Sequence, residues 1–234
     1  MTDSRYAGTE LEVFARAFHW KAYVRSETHA YLTGDVLEVG AGIGAATQAL
    51  NDGTPSRWVC LEPDPALAAR IRTDVLPSLA NCEVAVGALS DFDPHRAFNA
   101  VLYMDVLEHI KDDAAELARA ADRLRPGGSL IVLAPALPWL YTPFDKAIGH
   151  YRRYTRKSLR AIAPPSVREE KCAYLDSVGM LASAGNRLLL HSAAPSHAQI
   201  RFWDGLLVPA SRIADKLLWN CIGRSVLAVW RKAP

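Results

Sequence analysis

Along residues 10–32, Leu11, Phe14, Ala15, Phe18 and Tyr23 recur at helical spacing, and Thr33-Gly34 ends the run. The period then shortens. Asp35-Val36-Leu37-Glu38-Val39 reads as a strand that stops on Gly40-Ala41-Gly42-Ile43-Gly44, and a helix follows over 45–50. Residues 57–61 predict a second strand, and 65–75 a second helix with Asp64 as its N-cap. Further strands are expected over 82–89, 100–104 and 129–134, with a helix over 112–124 that Pro126-Gly127-Gly128 stops. Short apolar strands alternating with helices predict parallel β-α-β units and a doubly wound α/β sheet.

Past residue 134 the pattern changes. Residues 135–155 are rich in Pro, Tyr and Trp and show little periodicity. A helix is expected over 155–163, a strand over 167–175, amphipathic helices over 178–192 and 200–218, and a last strand over 225–231. The chain of 234 residues is thus read as one domain: a helical lead-in (1–33), a binding core (34–134), a loop with a helical cap (135–222), and a closing strand (223–234).

Composition narrows the function classes. A net charge of +2, from 27 basic and 25 acidic residues, argues against a nucleic-acid partner. Cys60, Cys82, Cys172 and Cys221 form no C-x-x-C, so neither a zinc knuckle nor a thioredoxin-like pair is expected. The start is polar, without the apolar core of a signal peptide. The longest apolar run, 130–141, holds two prolines and falls short of the about 20 residues a membrane span needs. A reduced, cytoplasmic protein without a membrane span is the expectation.

The glycine loop carries the first chemistry. Glycines permit positive φ and let a ligand approach bare backbone, and the following helix offers free N–H groups. Gly40-x-Gly42-x-x-Ala45 also satisfies the dinucleotide fingerprint, so two acids discriminate. Glu38, two residues before the first glycine, would repel a pyrophosphate but can accept from a ligand ammonium. Glu62, ending the second strand, can take two ribose hydroxyls. An adenosine with an amino-acid tail suits both acids, and that ligand is S-adenosylmethionine.

The stretch from Val36 to Gly44 resembles the first motif of the class I S-adenosylmethionine-dependent methyltransferases, and Leu61-Glu62-Pro63-Asp64 resembles their second, acidic one. Met104-Asp105-Val106-Leu107-Glu108-His109-Ile110 resembles the fourth-strand motif of the small-molecule branch, followed by Leu124-Arg125-Pro126-Gly127-Gly128. The resemblance spans about residues 34–134 and implies a Rossmann-like sheet of seven strands with the last one antiparallel. It implies cofactor contacts at Glu38, Gly40, Ala41, Gly42, Gly44, Glu62, Pro63, Met104 and Asp105. Where many members place an acid for the adenine amino group, this chain reads Gly87-Ala88-Leu89, so Ala88 and Leu89 are expected at the adenine, with Asp91 or backbone supplying the polar contact. Trp20 and Tyr23 are expected to fold back over the cofactor.

Asp105, Glu108 and His109 fall at the carboxyl edge of the sheet, where ligands bind in open α/β folds. Two readings are open for His109: a general base toward the acceptor, or a ring packed under the cofactor beside acids that cap the turn. A metal site from Asp105, Glu108 and His109 is conceivable, but no His-Glu-x-x-His or similar spacing supports it, and none is expected. Residues 135–154 resemble the Asp-x-x-x-Gly-His-x-Arg-Arg-Tyr stretch of a bacterial subgroup, and a loop of prolines and aromatics suits one wall of an acceptor pocket. Tyr141, Asp145 and His150 are expected at the acceptor, with His150 preferred over His109 as the base. Arg152 and Arg153 either hold an anionic group or pair with acids and pin the loop.

Between 151 and 171, seven basic residues face two acidic ones, which reads as a solvated face. The apolar segment 178–222 is open to four readings: plain core packing, a lid, a homodimer interface, or a membrane-surface face. The resulting expectation is methyl transfer to an O or N of a small-molecule acceptor, in secondary-metabolite or glycan biosynthesis. The rivals are an NAD(P)-dependent oxidoreductase, which leaves Glu38 unexplained, and a catalytically silent binding module.

Overall fold

A computed structural model describes residues 9–185 and 196–233. Among them, seven strands form one sheet: β1 (Asp35–Val39), β2 (Arg57–Glu62), β3 (Cys82–Val86), β4 (Phe98–Met104), β5 (Leu124–Pro135), β6 (Val167–Leu175) and β7 (Ser225–Lys232). Their order is β3-β2-β1-β4-β5-β7-β6, and only β7 runs antiparallel to its neighbours. This is the Rossmann-like sheet expected from the sequence. No helix among the described residues is long and apolar enough to cross a membrane.

The central strands are covered on both faces, which is why they read as near-continuous apolar runs. On one face, Leu37, Val101, Tyr103 and Val132 pack with Leu117 of α5 (Asp113–Asp122) and Leu159 of α7 (Arg156–Ala161). On the other, Val36, Trp58, Leu102 and Ile131 meet α2 (Phe18–Thr28), α3 (Ala45–Leu50), α4 (Pro65–Asp74), α9 (His197–Phe202) and α10 (Val208–Leu217). Asp64 caps α4 as expected, accepting from the N–H groups of Ala66 and Leu67.

Several elements depart from the sequence expectation. The lead-in is two helices, α1 (Thr9–Ala15) and α2, broken at Arg16-Ala17. Ala17 has no side chain to cap α2, so Asp204 does so from far along the chain, accepting from the backbone N–H of His19 at 3.1 Å and Trp20 at 2.8 Å. Strand β5 begins at Leu124 and runs through Pro126-Gly127-Gly128 instead of starting after it. Gly127 takes φ +73° and the register slips between Phe98 and Ala100, a bulge that absorbs the expected stop. Within 135–155 lies a short helix, α6 (Pro143–Ala147), started by a Thr142–Asp145 capping box. The expected 178–192 helix is seen as α8 (Ser177–Gly185), and its remainder lies outside the described residues. The expected 200–218 helix is α9, a wide turn over Trp203–Leu207, and α10. Helix α10 is inverted: it buries Ser211 and Asp215 and leaves Ile213 and Leu217 exposed.

Candidate active site

Strand β1 delivers the glycine loop to the carboxyl edge. Gly40, Gly42 and Gly44 take φ values of +69°, +59° and +77°, and the N–H groups of Gly40 and Ala41 donate to the Leu61 carbonyl. A Cβ on Gly40 would meet Val106 at 2.8 Å, and one on Gly44 would meet Val75 at 2.7 Å, so both need glycine for packing as well as for backbone. Gly42 differs. A Cβ on it would meet only Leu11 of α1 among the described residues, at 3.7 Å, so this turn of the loop leaves room beside its backbone.

Two acids bracket the loop. Glu62 is 5% exposed, and its two oxygens accept the Gly42 N–H at 2.7 Å and the Asp64 N–H at 3.0 Å. It therefore tightens the loop while each oxygen keeps a second lone pair. Burial raises its pKa, and the two N–H donors oppose that. Glu38 lies under the loop at 1% exposure, with Oε2 accepting from Thr47 Oγ1 at 2.6 Å and Trp58 Nε1 at 2.8 Å. Among the described residues nothing donates a hydrogen bond to Oε1. Burial pushes the Glu38 pKa up to about 7 against those two bonds, with the Glu62 charge adding to the rise. A buried acid with no cation beside it among the described residues is suited to a ligand ammonium.

Other expected cofactor residues divide. Pro63 and Ala88 are exposed near the ends of β2 and β3, and Met104 ends β4 half-buried. Asp105 is open to solvent, with φ +54° and its N–H held by the Leu133 carbonyl at 2.9 Å. The Leu89 side chain does not face this edge; it is 1% exposed in the core with Phe92 and Phe98. Tyr23 does not cover the loop either. Its hydroxyl, buried and needing an acceptor, donates to Asp215 Oδ2 at 2.9 Å, which ties α2 to α10. Trp20 packs against Trp203, with ring centroids 5.8 Å apart.

The loop after β5 folds back along the turn that holds Glu108 and His109. The Tyr151 N–H donates to the Glu108 carbonyl, and the Leu137 N–H to that of Tyr154. Asp145 sits at the centre, 1% exposed. Oδ1 accepts from His150 Nδ1 at 3.0 Å and Arg153 Nε at 2.9 Å; Oδ2 accepts from Arg153 Nη2 at 3.0 Å and from Thr142 N and Oγ1, both at 2.8 Å. Burial works to raise its pKa, but these donors outweigh it and hold the carboxyl well below the usual range. Asp145 is thus a positioning group for His150 and Arg153; its oxygens are spent on the loop, which corrects the expected acceptor contact.

Arg152 is corrected likewise, since its guanidinium donates to Asp113 Oδ2 at 2.6 Å and the Lys111 carbonyl at 2.7 Å. Both arginines pin the loop. The Tyr141 hydroxyl donates to the His150 carbonyl at 2.7 Å. Farther along the basic stretch, Arg160 pairs with Glu169 and Lys171 with Glu27, as a solvated face should.

His150 and His109 come together, with ring centroids 4.6 Å apart and the rings edge to face. Beside them Glu108 is fully buried, and neither carboxylate oxygen has a hydrogen-bond partner among the described residues. His150 Nε2 stands 3.7 Å from Glu108 Oε1. Burial, then the Asp105 charge, pushes the Glu108 pKa well up. Burial and His150 lower His109 to about 4, so its ring is neutral at pH 7. The sequence displays Glu108-His109 as a local pair, but nothing local signals that His150 joins it. Two surface hollows of about 530 Å³, one lined by His19, Arg212 and Ile213 and one by Phe18, Arg25 and Gln48, lie away from this edge. Convergent polar chemistry, and not hollow size, locates the site.

Residues 37–130 match the model of a family described as a methyltransferase domain. A ubiquinone biosynthesis O-methyltransferase from Xylella fastidiosa (strain 9a5c) is 33% identical over 100 residues, covering 42% of this chain and 40% of that protein. Its counterpart from Bradyrhizobium sp. (strain ORS 278) is 27% identical over 97 residues, covering 42% of this chain and 38% of that protein. These alignments span less than half the length of the curated relatives. Among solved structures, the N-methyltransferase NodS from Bradyrhizobium japonicum WM9, in complex with S-adenosyl-L-homocysteine, has a TM-score of 0.61 at 15% identity, covering 94% of this chain and 88% of that one. An S-adenosylmethionine-dependent methyltransferase from Clostridium acetobutylicum has a TM-score of 0.59 at 9% identity, covering 92% of each chain. The fold is that of the class I methyltransferases.

Proposed function

We propose that the protein is an S-adenosylmethionine-dependent methyltransferase acting on an oxygen or nitrogen of a small-molecule acceptor in the cytoplasm. One observation carries this reading: Glu38, buried beneath the glycine loop with no donor to Oε1 among the described residues, next to Glu62 at the loop's rim. A dinucleotide's pyrophosphate would be repelled by Glu38, whereas a ligand ammonium finds an acceptor there; Glu62 suits the ribose of either ligand. The O-methyltransferase relatives favour oxygen as the accepting atom.

In this reading Glu38 holds the ammonium, Glu62 the ribose hydroxyls, and the backbone of Gly40, Ala41, Gly42 and Gly44 lines the tail. Pro63, Ala88, Met104 and Asp105 rim the same cleft. S-adenosylmethionine supplies a methyl group already activated on a sulfonium. The chain then has mainly to align the acceptor, which is worth roughly 7–11 kcal/mol of barrier. His150, oriented through Nδ1 by Asp145, presents Nε2 toward Glu108 and His109, and this trio activates the accepting atom.

Calorimetry should show binding of S-adenosylhomocysteine and none of NADH; the reverse result would replace the reading with the oxidoreductase. His150→Ala and His109→Ala should each cut turnover about 100-fold while cofactor affinity stays within a few-fold. We also propose that the exposed apolar face of Phe202, Leu206, Ile213, Leu217 and Trp219 meets a second copy of the chain. Sedimentation of Leu217→Glu as a monomer beside a dimeric parent is the expected result.

A further inference from the structure

We propose that Glu108, His109 and His150 form a binding site for one first-row divalent transition-metal cation. Glu108 makes the first argument. A carboxylate at 0% exposure whose two oxygens both lack partners among the described residues leaves a strong desolvation penalty uncompensated. His150 Nε2, at 3.7 Å, is too far for a hydrogen bond. That distance instead approaches the about 3.4 Å expected between two ligand atoms bonded at 2.0–2.2 Å to a tetrahedral ion.

The tautomer of His150 is the second argument. Asp145 receives Nδ1 at 3.0 Å, which places the proton on Nδ1 and leaves the Nε2 lone pair directed away from Asp145. Carboxylate, imidazole and open lone pair in line are the arrangement that orients metal-bound histidines. Arg153 and Thr142 fix Asp145 in turn, so the ring is held without help from an ion. His109 completes the set. One ligand atom from each of the three residues lies within 4.8 Å of the others, so binding requires the widest pair to close by up to about 1.4 Å.

Two imidazoles and one carboxylate suit zinc, cobalt, nickel or iron and are poor ligands for magnesium or calcium, which require oxygen. The site stands on these residues alone. Its use rests on the methyl-transfer reading: an open coordination position would take the acceptor's hydroxyl and lower its pKa, as zinc lowers that of bound water to about 7. His150 then serves as a ligand, and the acceptor class narrows to small molecules with an ionisable hydroxyl.

The test is cobalt binding to the whole chain after treatment with a chelator and gel filtration. Equilibrium dialysis should give about one Co²⁺ per chain, with visible ligand-field absorption and without the near-ultraviolet thiolate bands that cysteine ligation would produce. Glu108→Gln, which preserves shape, should weaken binding at least about 100-fold, and His109→Ala replaces it if that variant fails to fold. No uptake at millimolar Co²⁺, thiolate bands, or equal affinity in the folded variant each overturns the site. S-adenosylhomocysteine binding is measured on the same samples. Cofactor binding without cobalt removes the metal and leaves the methyltransferase reading; cobalt without cofactor does the reverse.

Discussion

Asp145→Asn separates the loop's architecture from its chemistry. The carboxylate accepts five hydrogen bonds, three of them from the His150 ring and the Arg153 guanidinium, at 1% exposure. Asparagine keeps the volume but replaces one acceptor oxygen by an NH₂. If that NH₂ replaces Oδ1, it faces His150 Nδ1 and Arg153 Nε; if it replaces Oδ2, it faces Thr142 and Arg153 Nη2. Either way donors meet donors, and a guanidinium with 14% side-chain exposure loses its counter-charge. Removing one partner of a buried pair costs about 3–5 kcal/mol. Arg153 keeps some solvent and a 3.4 Å contact from Nη1 to the Ala136 carbonyl, so the low end, about 3 kcal/mol, is expected. Urea unfolding at pH 7 is the assay. With an m-value of about 2 kcal/mol/M, the midpoint should fall by about 1.5 M at unchanged slope. S-adenosylhomocysteine affinity should remain within a few-fold, because the glycine loop makes no contact with Asp145. A midpoint shift below about 0.5 M would refute the claim that this carboxylate is the loop's anchor.

The remaining predictions concern the cofactor side. Glu62→Ala should weaken S-adenosylhomocysteine binding by about 1–3 kcal/mol, since it loses the proposed ribose acceptor and the brace on the Gly42 and Asp64 N–H groups. Unchanged calorimetric affinity in a folded variant would remove Glu62 from the site. Gly42→Val puts a β-branched side chain at φ +59° and into the open side of the cradle, so binding should vanish; an unaltered dissociation constant would count against the loop assignment. Glu38 holds its proton to about pH 7 when folded and to about 4.3 when unfolded, so the folded state binds the extra proton in between. Stability should therefore fall as pH rises from about 4 to 7, by about 3 kcal/mol at most, and Glu38→Gln should flatten this slope in denaturant titrations across that window.

The sheet was legible because burial on both faces writes each central strand as an apolar run and each covering helix as a periodic one. The glycine loop and its acids were legible because strand, turn and helix are adjacent in sequence. What the pattern did not carry is polar contact between distant segments. The break in the lead-in helix depends on Asp204, which reaches His19 and Trp20 across more than 180 residues. Tyr23 looks like a cofactor lid only until Asp215 is placed beside its hydroxyl, and Asp215 lies on the inward face of a helix whose Ile213 and Leu217 point outward. Asp145 is the instructive middle case. Thr142-x-x-Asp145 is a capping-box spacing, so the sequence held a signal that this carboxylate turns back on its own helix. The adjacent Gly-His-x-Arg-Arg-Tyr stretch points to the acceptor instead. His150 joins Glu108-His109 by another route: Ala136 pairs with Tyr154, and the intervening loop is drawn back along the edge of the sheet. Spacing rules for metal ligands presuppose one helix or one turn. A site assembled from a turn after β4 and a loop after β5 has no such spacing, and its signature is the unsatisfied buried carboxylate that only a folded chain displays.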